Sequence, residues 1–320
     1  QDKDILDLFE LSEEIPARMQ ESASADFESL VTDSLLDNGL KYESKASFYT
    51  PRRLVLVVTG LTEKSPKVIT ERRGPRSNAP DKAINGFLKS TGLSLEQLEI
   101  RSVKGSEFYF AKTEQKGRSA SEIVSETLEN TIVNFPWPKT MRWGEGALKW
   151  IRPLHNVLCI LSDENESKIV DFNFCGFKAN NKSRGHRFRG NVEFSVKNFD
   201  DLKQKLRKSY VLLDQEDRKK DIVNSASNLA FAIGLEVVED QLLLNEVKNL
   251  VEWPNVLVGK ISEEYLGLPS DVLQVSMRKH QKFFSLKNKI NNYIEGFVIV
   301  SNNETSDNGK LILEGNCLLY

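Results

Sequence analysis

The stretch from residue 135 to residue 161 constrains the fold more than any other part of the chain. Its first half contains Trp-Pro and Gly-x-Gly, which break a helix. It ends in a short apolar run, residues 157–161. A run of that length after such breakers favours a buried strand. The pattern therefore predicts a rigid, aromatic and basic loop that leads directly into a core.

Loops on a firm scaffold often contact a partner, so this loop is a candidate contact site. Its exposed candidates are Arg142, Trp143 and Arg152. Trp137 and Trp150 are assigned to packing, because large aromatic side chains usually supply buried apolar area. Packing alone is the equal alternative for the whole loop.

The periodicity along the rest of the chain predicts an α+β fold. Residues 4–9 alternate as a strand does, and Leu54–Val58 is a continuous apolar run typical of a strand buried on both faces. After about residue 198 the pattern changes to helical periods. We expect mixed, mostly antiparallel sheets with flanking helices, and more helix in the C-terminal third.

The length of 320 residues predicts about two domains. The expected division is an α+β domain with basic turns over residues 1–198 and a helix-rich α+β domain over residues 199–320. One compact unit is the alternative. Near the N-terminus, Ser12 is expected to cap a helix, with Glu13 and Glu14 in its first turn facing the positive end of the helix dipole.

Charge and cysteine content limit the function classes. Lys and Arg number 44 against 46 for Asp and Glu, a net charge of −2, so any contact with nucleic acid must use a local basic patch. The three cysteines are too few and too scattered for a disulfide framework or a zinc site, which favours a reducing, cytoplasmic location. No apolar stretch approaches the length of a membrane span, and no membrane partner is expected. The acidic start without Met indicates a fragment or a processed chain rather than a signal peptide.

Basic residues cluster at several predicted turns, some with an aromatic neighbour. Arginine pairs with phosphate in a bidentate manner, and aromatic rings stack on unpaired bases. A solvated surface with local ion pairs is the alternative for each cluster. The candidate residues for contact with RNA or a protein partner are Arg52, Arg53, Arg72, Arg73, Arg142, Trp143, Arg152, Arg184, His186, Arg187, Lys279, His280 and Lys282.

A self-sufficient active site is not expected. The sequence has no GxxxxGK[ST], GxGxxG, HExxH or GxSxG motif, and its three histidines lie far apart. Cys159 lies within the apolar run, where burial raises a thiol pKa and makes it a poor nucleophile. We therefore expect no catalytic residue, no metal ligand and no cofactor in this chain.

Eleven short motifs nevertheless follow one another in a fixed order over nearly the whole chain. They are SEEIPARMQ, TPRRL, RRGP, INGF, KTMRWG, WIRPL, RGHRF, LVEWP, MRKHQKFF, VSNNE and EGN. Each motif alone is weak, but the ordered set is specific, and it resembles one family, the beta subunit of the bacterial, two-gene type of glycyl-tRNA synthetase. The tail after EGN, from Cys317 to Tyr320, departs from the charged residues with which the family usually continues.

The resemblance implies a tetramer of two alpha and two beta subunits that ligates glycine to tRNA(Gly). The alpha subunit of such an enzyme carries the adenylation site and uses ATP and Mg²⁺. Family beta chains are about twice as long, so this chain resembles their N-terminal portion, without the later phosphohydrolase-like and anticodon-binding segments.

Three roles stay open for such a segment. The first is tRNA binding and assembly without catalysis, and the second is a protein scaffold that docks the alpha subunit without touching RNA. The third is an editing hydrolase, by analogy of fold with an insert in the phenylalanyl enzyme's beta chain.

Overall fold

The computed structural model describes residues 3–103, 105–142, 148–163 and 166–304, together with residues 307, 309 and 313. These residues form helices and several mostly antiparallel sheets, which confirms the α+β class. Among the described helices, none combines the length and apolar character that crossing a membrane requires.

Seven α-helices lie in the described parts of the chain, and a five-residue π-helical turn follows the last of them over Met277–Gln281. The helices are α1 (Ala17–Asp37), α2 (Asp81–Thr91), α3 (Ala120–Asn134), α4 (Phe199–Lys208), α5 (Gln215–Ala232), α6 (Gln241–Val247) and α7 (Ser270–Ser276).

The strands form two larger sheets, one three-stranded sheet and two short hairpins. They are β1 (Lys3–Ser12), β2 (Ser44–Thr50), β3 (Arg53–Thr62), β4 (Val68–Arg76), β5 (Leu98–Val103), β6 (Ser106–Gln115), β7 (Met141–Arg142), β8 (Lys149–Trp150), β9 (Leu154–Ser162), β10 (Ser167–Ile169), β11 (Asn173–Phe174), β12 (Phe177–Asn180), β13 (Lys182–Arg184), β14 (Glu193–Ser195), β15 (Leu235–Val237), β16 (Asn255–Lys260), β17 (Phe284–Asn288) and β18 (Ile294–Ser301).

The central sheet has the order β11-β12-β9-β1-β3-β2, with β10 added to β9. Its strand β3 is apolar on both faces because both faces are covered, as the sequence predicts. Leu54 and Leu56 belong to the core that α1 and α3 close, whereas Val55 and Val57 pack with α4 on the other side. Successive residues of a strand point to opposite faces, so one continuous apolar run supplies two cores.

The tryptophan-rich stretch supplies part of the first core. Trp137 and Trp150 are buried, with ring centroids 5.2 Å apart, and Phe135 packs against both. Packing is therefore the role of these two tryptophans, as predicted. The expected strand follows as β9, which pairs with β1 at the centre of the sheet.

Residues 68–115 form a separate three-stranded sheet, β4-β6-β5, with α2 beside it. Of the described residues in this range, only Leu98 and Ala111 are buried. Val103 pairs with Ser106 and closes a hairpin between β5 and β6. Arg72 and Arg73 belong to the basic residues that the sequence analysis placed at predicted turns, but they lie within β4, and the irregularity of the strand comes after them.

The last third of the chain builds a core of its own around the sheet β15-β17-β18-β16, packed with α5 and α6. Because this region holds a four-stranded sheet and the longest helix is α1, the expected excess of helix there is not clearly borne out. The predicted domain boundary near residue 198 stays a prediction, although α4 beyond it packs on the central sheet.

A buried arginine connects the early and late parts of the chain. Arg218 on α5 donates hydrogen bonds to four backbone carbonyls, which are those of Tyr49 (2.8 Å), Leu212 (2.6 Å), Leu213 (3.0 Å) and Lys248 (3.1 Å). It is fully buried, and no carboxylate of the described residues forms a direct ion pair with it. The four carbonyl dipoles compensate its charge at close range, and the charges of Asp214 and Glu216 add to this from further away.

Candidate functional site

A polar cleft of about 450 Å³ opens beside the central sheet. The segment after β1, the turn between β2 and β3, the start of β9 and the hairpin β13–β14 all contribute to it. Its lining residues are Glu13, Arg52, His155, Asn156, Asn180, Lys182, Ser183, Arg184, Arg187, Asn191 and Glu193. Three of the predicted contact residues, Arg52, Arg184 and Arg187, therefore meet at one site.

The cations of the cleft outnumber its carboxylates by four to two, not counting His155. Lys182 and Arg184 share Glu193 at 3.1 and 3.3 Å, and Arg184 is 56% exposed. Ion pairs between exposed groups contribute about 1 kcal/mol or less. A stronger anion such as a phosphate can therefore replace Glu193 as the partner of these cations at little cost.

Glu13 connects the opposite wall of the cleft. It accepts hydrogen bonds from His155 (2.8 Å) and Arg187 (3.0 Å), and Arg187 also reaches Glu14 at 3.2 Å. Partial burial acts to raise the pKa of Glu13, but the His155 hydrogen bond and the charges of Arg187 and Arg52 outweigh it and lower that pKa. Glu13 is thus an anion that holds the Arg187 side chain and the His155 ring in place.

The expected helix cap at this segment is wrong. Helix α1 begins at Ala17 after Pro16, and Ser12 ends strand β1 instead. Glu13 instead forms a hydrogen bond with His155 on β9, which is 142 residues away in sequence. A partner at that distance overrides the local preference of a carboxylate for a helix N-terminus.

Arg53 lies next to Arg52 in sequence but points into the protein. Its guanidinium is fully buried, pairs with Glu252 and donates to the backbone carbonyl of Arg184 at 2.6 Å. Direct contact with a phosphate does not fit a side chain without exposed surface. Arg53 instead fixes the backbone that carries Arg184 into the cleft.

His186 is also buried, and its Nδ1 accepts hydrogen bonds from the backbone N–H groups of Phe188 and Arg189 at 3.3 and 3.2 Å. Burial lowers the pKa of His186, which keeps the ring neutral. Stacking of this ring on a base, which the sequence suggested, does not fit its burial. The ring shapes the turn that presents Arg187 instead.

Several of the motifs that carry the family resemblance meet around Glu252. Its carboxylate accepts from Thr50 at 2.6 Å as well as from Arg53, and its backbone N–H donates to the side chain of Asn302 at 2.8 Å. The TPRR, RGHR, EWP and SNN segments therefore form one buried junction. That junction joins the central sheet to the sheet of the last third.

The other predicted contact residues do not line the cleft. Arg72 and Arg73 are exposed on the separate three-stranded sheet. Arg142 is exposed as the last residue of β7, and Arg152 is exposed two residues after β8. Trp143 lies outside the described residues. Lys279 and His280 are exposed on the π-helical turn, while Lys282 pairs with Glu246 at 3.0 Å.

The sequence reasoning missed Glu13, His155 and Lys182 as lining residues of the cleft. Glu13 and His155 lie inside or beside recognised motifs, but no local pattern indicates their pairing. Within the described residues, no three His, Cys, Asp or Glu side chains come together as a metal site would require.

Comparison with known proteins gives these residues a family. The profile of the family described as "Glycyl-tRNA synthetase beta subunit" matches residues 8–318. The chain belongs to this family. The match confirms the resemblance seen in the ordered motifs, from SEEIPARMQ to EGN.

Curated relatives agree with the family match. Proteins named "Glycine--tRNA ligase beta subunit" from Cereibacter sphaeroides, Paracoccus denitrificans and a Ruegeria species are 53%, 52% and 50% identical to the chain over 312 residues. Each alignment covers 98% of this chain but 44%, 45% and 45% of the relative. The chain thus spans less than half the length of the curated relatives it matches, and it corresponds to their N-terminal part.

Proposed function

We propose that this chain is a non-catalytic, tRNA-binding and assembly segment of a glycyl-tRNA synthetase beta subunit. It supports the ATP-dependent ligation of glycine to tRNA(Gly), with ATP and Mg²⁺ bound by an alpha subunit. Its partners are that alpha subunit, tRNA(Gly) and a second beta subunit in an α2β2 tetramer. The family match and the names of the relatives support this assignment.

The basic cleft carries the RNA part of the proposal. Arg52, Arg184 and Arg187 converge there with Lys182, and the asparagine side chains add neutral donors and acceptors. Arginine, lysine and asparagine are the groups that position a protein on a phosphate and sugar backbone. The net positive charge of the cleft supplies the local patch that the near-neutral chain as a whole does not.

Binding of tRNA(Gly) at a series of salt concentrations tests this role. The double variant Arg184→Ala with Arg187→Ala should bind tRNA(Gly) more weakly. The slope of log affinity against log salt concentration should become shallower by about two, since each lost phosphate contact lowers its magnitude by about one. Arg207→Ala, an exposed arginine on α4 outside the cleft, is the matched control and should leave the slope unchanged. Equal slopes in all three proteins would exclude the cleft as the RNA site.

A scaffold that docks the alpha subunit without RNA contact is the second candidate. An apolar groove of about 300 Å³ beside α7 favours it, with Leu268 and Val272 about half exposed. Co-elution with the alpha subunit on a sizing column, without retention of tRNA, would support this scaffold role. Retention of tRNA by the chain alone would decide for the first candidate.

A further inference from the structure

The three-stranded sheet β4-β6-β5 has one face that combines aromatic and cationic side chains. The register pairs Arg73 with Phe110, and Phe108 with both Arg76 and Arg101. Paired residues of neighbouring antiparallel strands point to the same face. These five side chains therefore share one face of the sheet.

The guanidinium groups lie over the rings on this face. The Cζ of Arg73 is 3.7 Å from the centroid of the Phe108 ring, and Arg76 lies 5.7 Å from the same centroid. Arg101 lies 5.2 Å from the centroid of Phe110. Both phenylalanines are half-buried, and all three arginines are exposed. The face is thus a set of cation–π stacks that reaches solvent.

The charge of this face is also positive. Arg101 pairs with Glu71 and Glu99, but Arg73 and Arg76 have no carboxylate partner among the described residues. A cation that rests on an aromatic ring without a counter-ion keeps its donors available for an incoming anion. The exposed Lys112, paired in register with Glu71, adds a further positive charge.

Helix α2 covers the other face of the sheet. Gly74 follows Arg73 and points to the opposite side, where a Cβ atom would lie 2.5 Å from Cε1 of Phe87 on α2. Ala111 follows Phe110 in β6 and therefore points to this covered side. Leu98 is its register partner, so the small buried core of Leu98 and Ala111 lies on the same side. The arginine–phenylalanine face therefore does not serve the core of this small unit.

We propose that the face of Arg73, Arg76, Arg101, Phe108 and Phe110 binds unpaired bases of single-stranded RNA. Each base has a π-face that stacks on a phenylalanine ring or on a guanidinium plane, and phosphates on either side pair with arginine. The excess of positive charge on this face also matches the phosphate backbone of RNA, whose neutralisation by Arg and Lys supplies a large part of binding affinity. The proposal rests on the proposed RNA-binding role of the chain but concerns a surface that shares no residue with the cleft.

The test uses the full chain and a fluorescein-labelled oligouridylate, with an RNA duplex of equal length as the second probe. Fluorescence anisotropy should show tighter binding of the single strand. Phe108→Leu keeps apolar volume but removes the ring, and it should weaken binding between about fivefold and about 150-fold, the range for loss of one base stack. Arg73→Gln should weaken binding and reduce its salt dependence.

Ile100→Ala is the matched control, because Ile100 pairs with Tyr109 on the opposite face and is 52% exposed. It should leave oligouridylate affinity unchanged. Thermal unfolding of each variant shows whether the sheet is intact, and Arg73→Gln keeps the test valid if Phe108→Leu unfolds it. Unchanged oligouridylate affinity in both variants, or equal affinity for the duplex, would overturn the proposal.

The same experiment separates this proposal from the proposed function. If the cleft variants lose tRNA affinity while Phe108→Leu and Arg73→Gln bind oligouridylate normally, the sheet face is excluded and the cleft stands. If no variant affects tRNA binding and oligouridylate does not bind, both fail. Ultraviolet crosslinking of bromouridine RNA to a peptide within residues 106–115 would support the sheet face directly.

Discussion

Replacing Glu252 by alanine should destabilise the protein more than any surface substitution, because it leaves the guanidinium of Arg53 buried without a counter-ion. Both side chains are fully or almost fully buried, at 0% and 2% exposure. Removing one partner of a buried ion pair costs about 3–5 kcal/mol. Thr50 also loses the acceptor of its hydrogen bond, which adds about 1 kcal/mol. We therefore expect Glu252→Ala to lower the free energy of unfolding by about 4–6 kcal/mol.

Urea unfolding followed by circular dichroism measures this loss. Glu126→Ala is the matched control, because Glu126 pairs with Arg118 at the surface, where it is 62% exposed. That surface pair should contribute about 1 kcal/mol or less. A double variant, Arg53→Met with Glu252→Leu, should be more stable than Glu252→Ala alone, since it leaves no unpaired charge in the core.

The reasoning would be refuted if Glu252→Ala and Glu126→Ala changed the free energy of unfolding by similar amounts. It would also be refuted if the double variant were less stable than Glu252→Ala. A further consequence concerns the cleft. Because Arg53 holds the carbonyl of Arg184, variants at the junction that remain folded should bind tRNA more weakly.

Three more predictions follow from buried groups. Burial raises the pKa of Asp7 to about 7, from an ordinary value near 3.8. The folded protein therefore holds a proton that the unfolded chain has lost, and the free energy of unfolding should fall by about 2–3 kcal/mol between about pH 5 and about pH 8. Asp7→Asn should flatten this pH dependence, as measured by urea unfolding. Arg218→Leu should lower the thermal midpoint and cost about 3 kcal/mol or more, because four buried carbonyls lose their donor. Gly185→Ala should reduce both stability and tRNA affinity, because its Cβ would lie 2.1 Å from the carbonyl oxygen of Gly190, as thermal unfolding and filter binding would show.

The family and the main strands were predictable because they depend on residues close together in sequence. The run from Leu54 to Val58 predicts a strand with two buried faces, and β3 has them. The apolar run at residues 157–161 likewise predicts β9. Hydrophobic periodicity and turn-forming residues are properties of consecutive positions, so they can be recognised in the sequence without knowledge of the fold.

The roles of the individual basic residues were less predictable. Arg52 and Arg53 are neighbours with the same side chain, yet one lines the cleft and the other lies in the core. Arg52 lies in the turn between β2 and β3, whereas Arg53 is the first residue of β3, and which of the two side chains is buried depends on what packs there. For Arg53 that is Glu252, which is 199 residues away.

The sequence alone thus determined the family, the α+β class, the buried strands and the clustering of positive charge near turns. Tertiary structure alone decided which of those charges meet. It brought Arg52, Arg184 and Arg187 to one cleft, and it placed Glu13 in a hydrogen bond with His155 rather than at the N-terminus of a helix. The physical reason is that an ion pair forms between groups that topology brings within a few ångströms, and the partner's distance along the chain leaves no local pattern to detect.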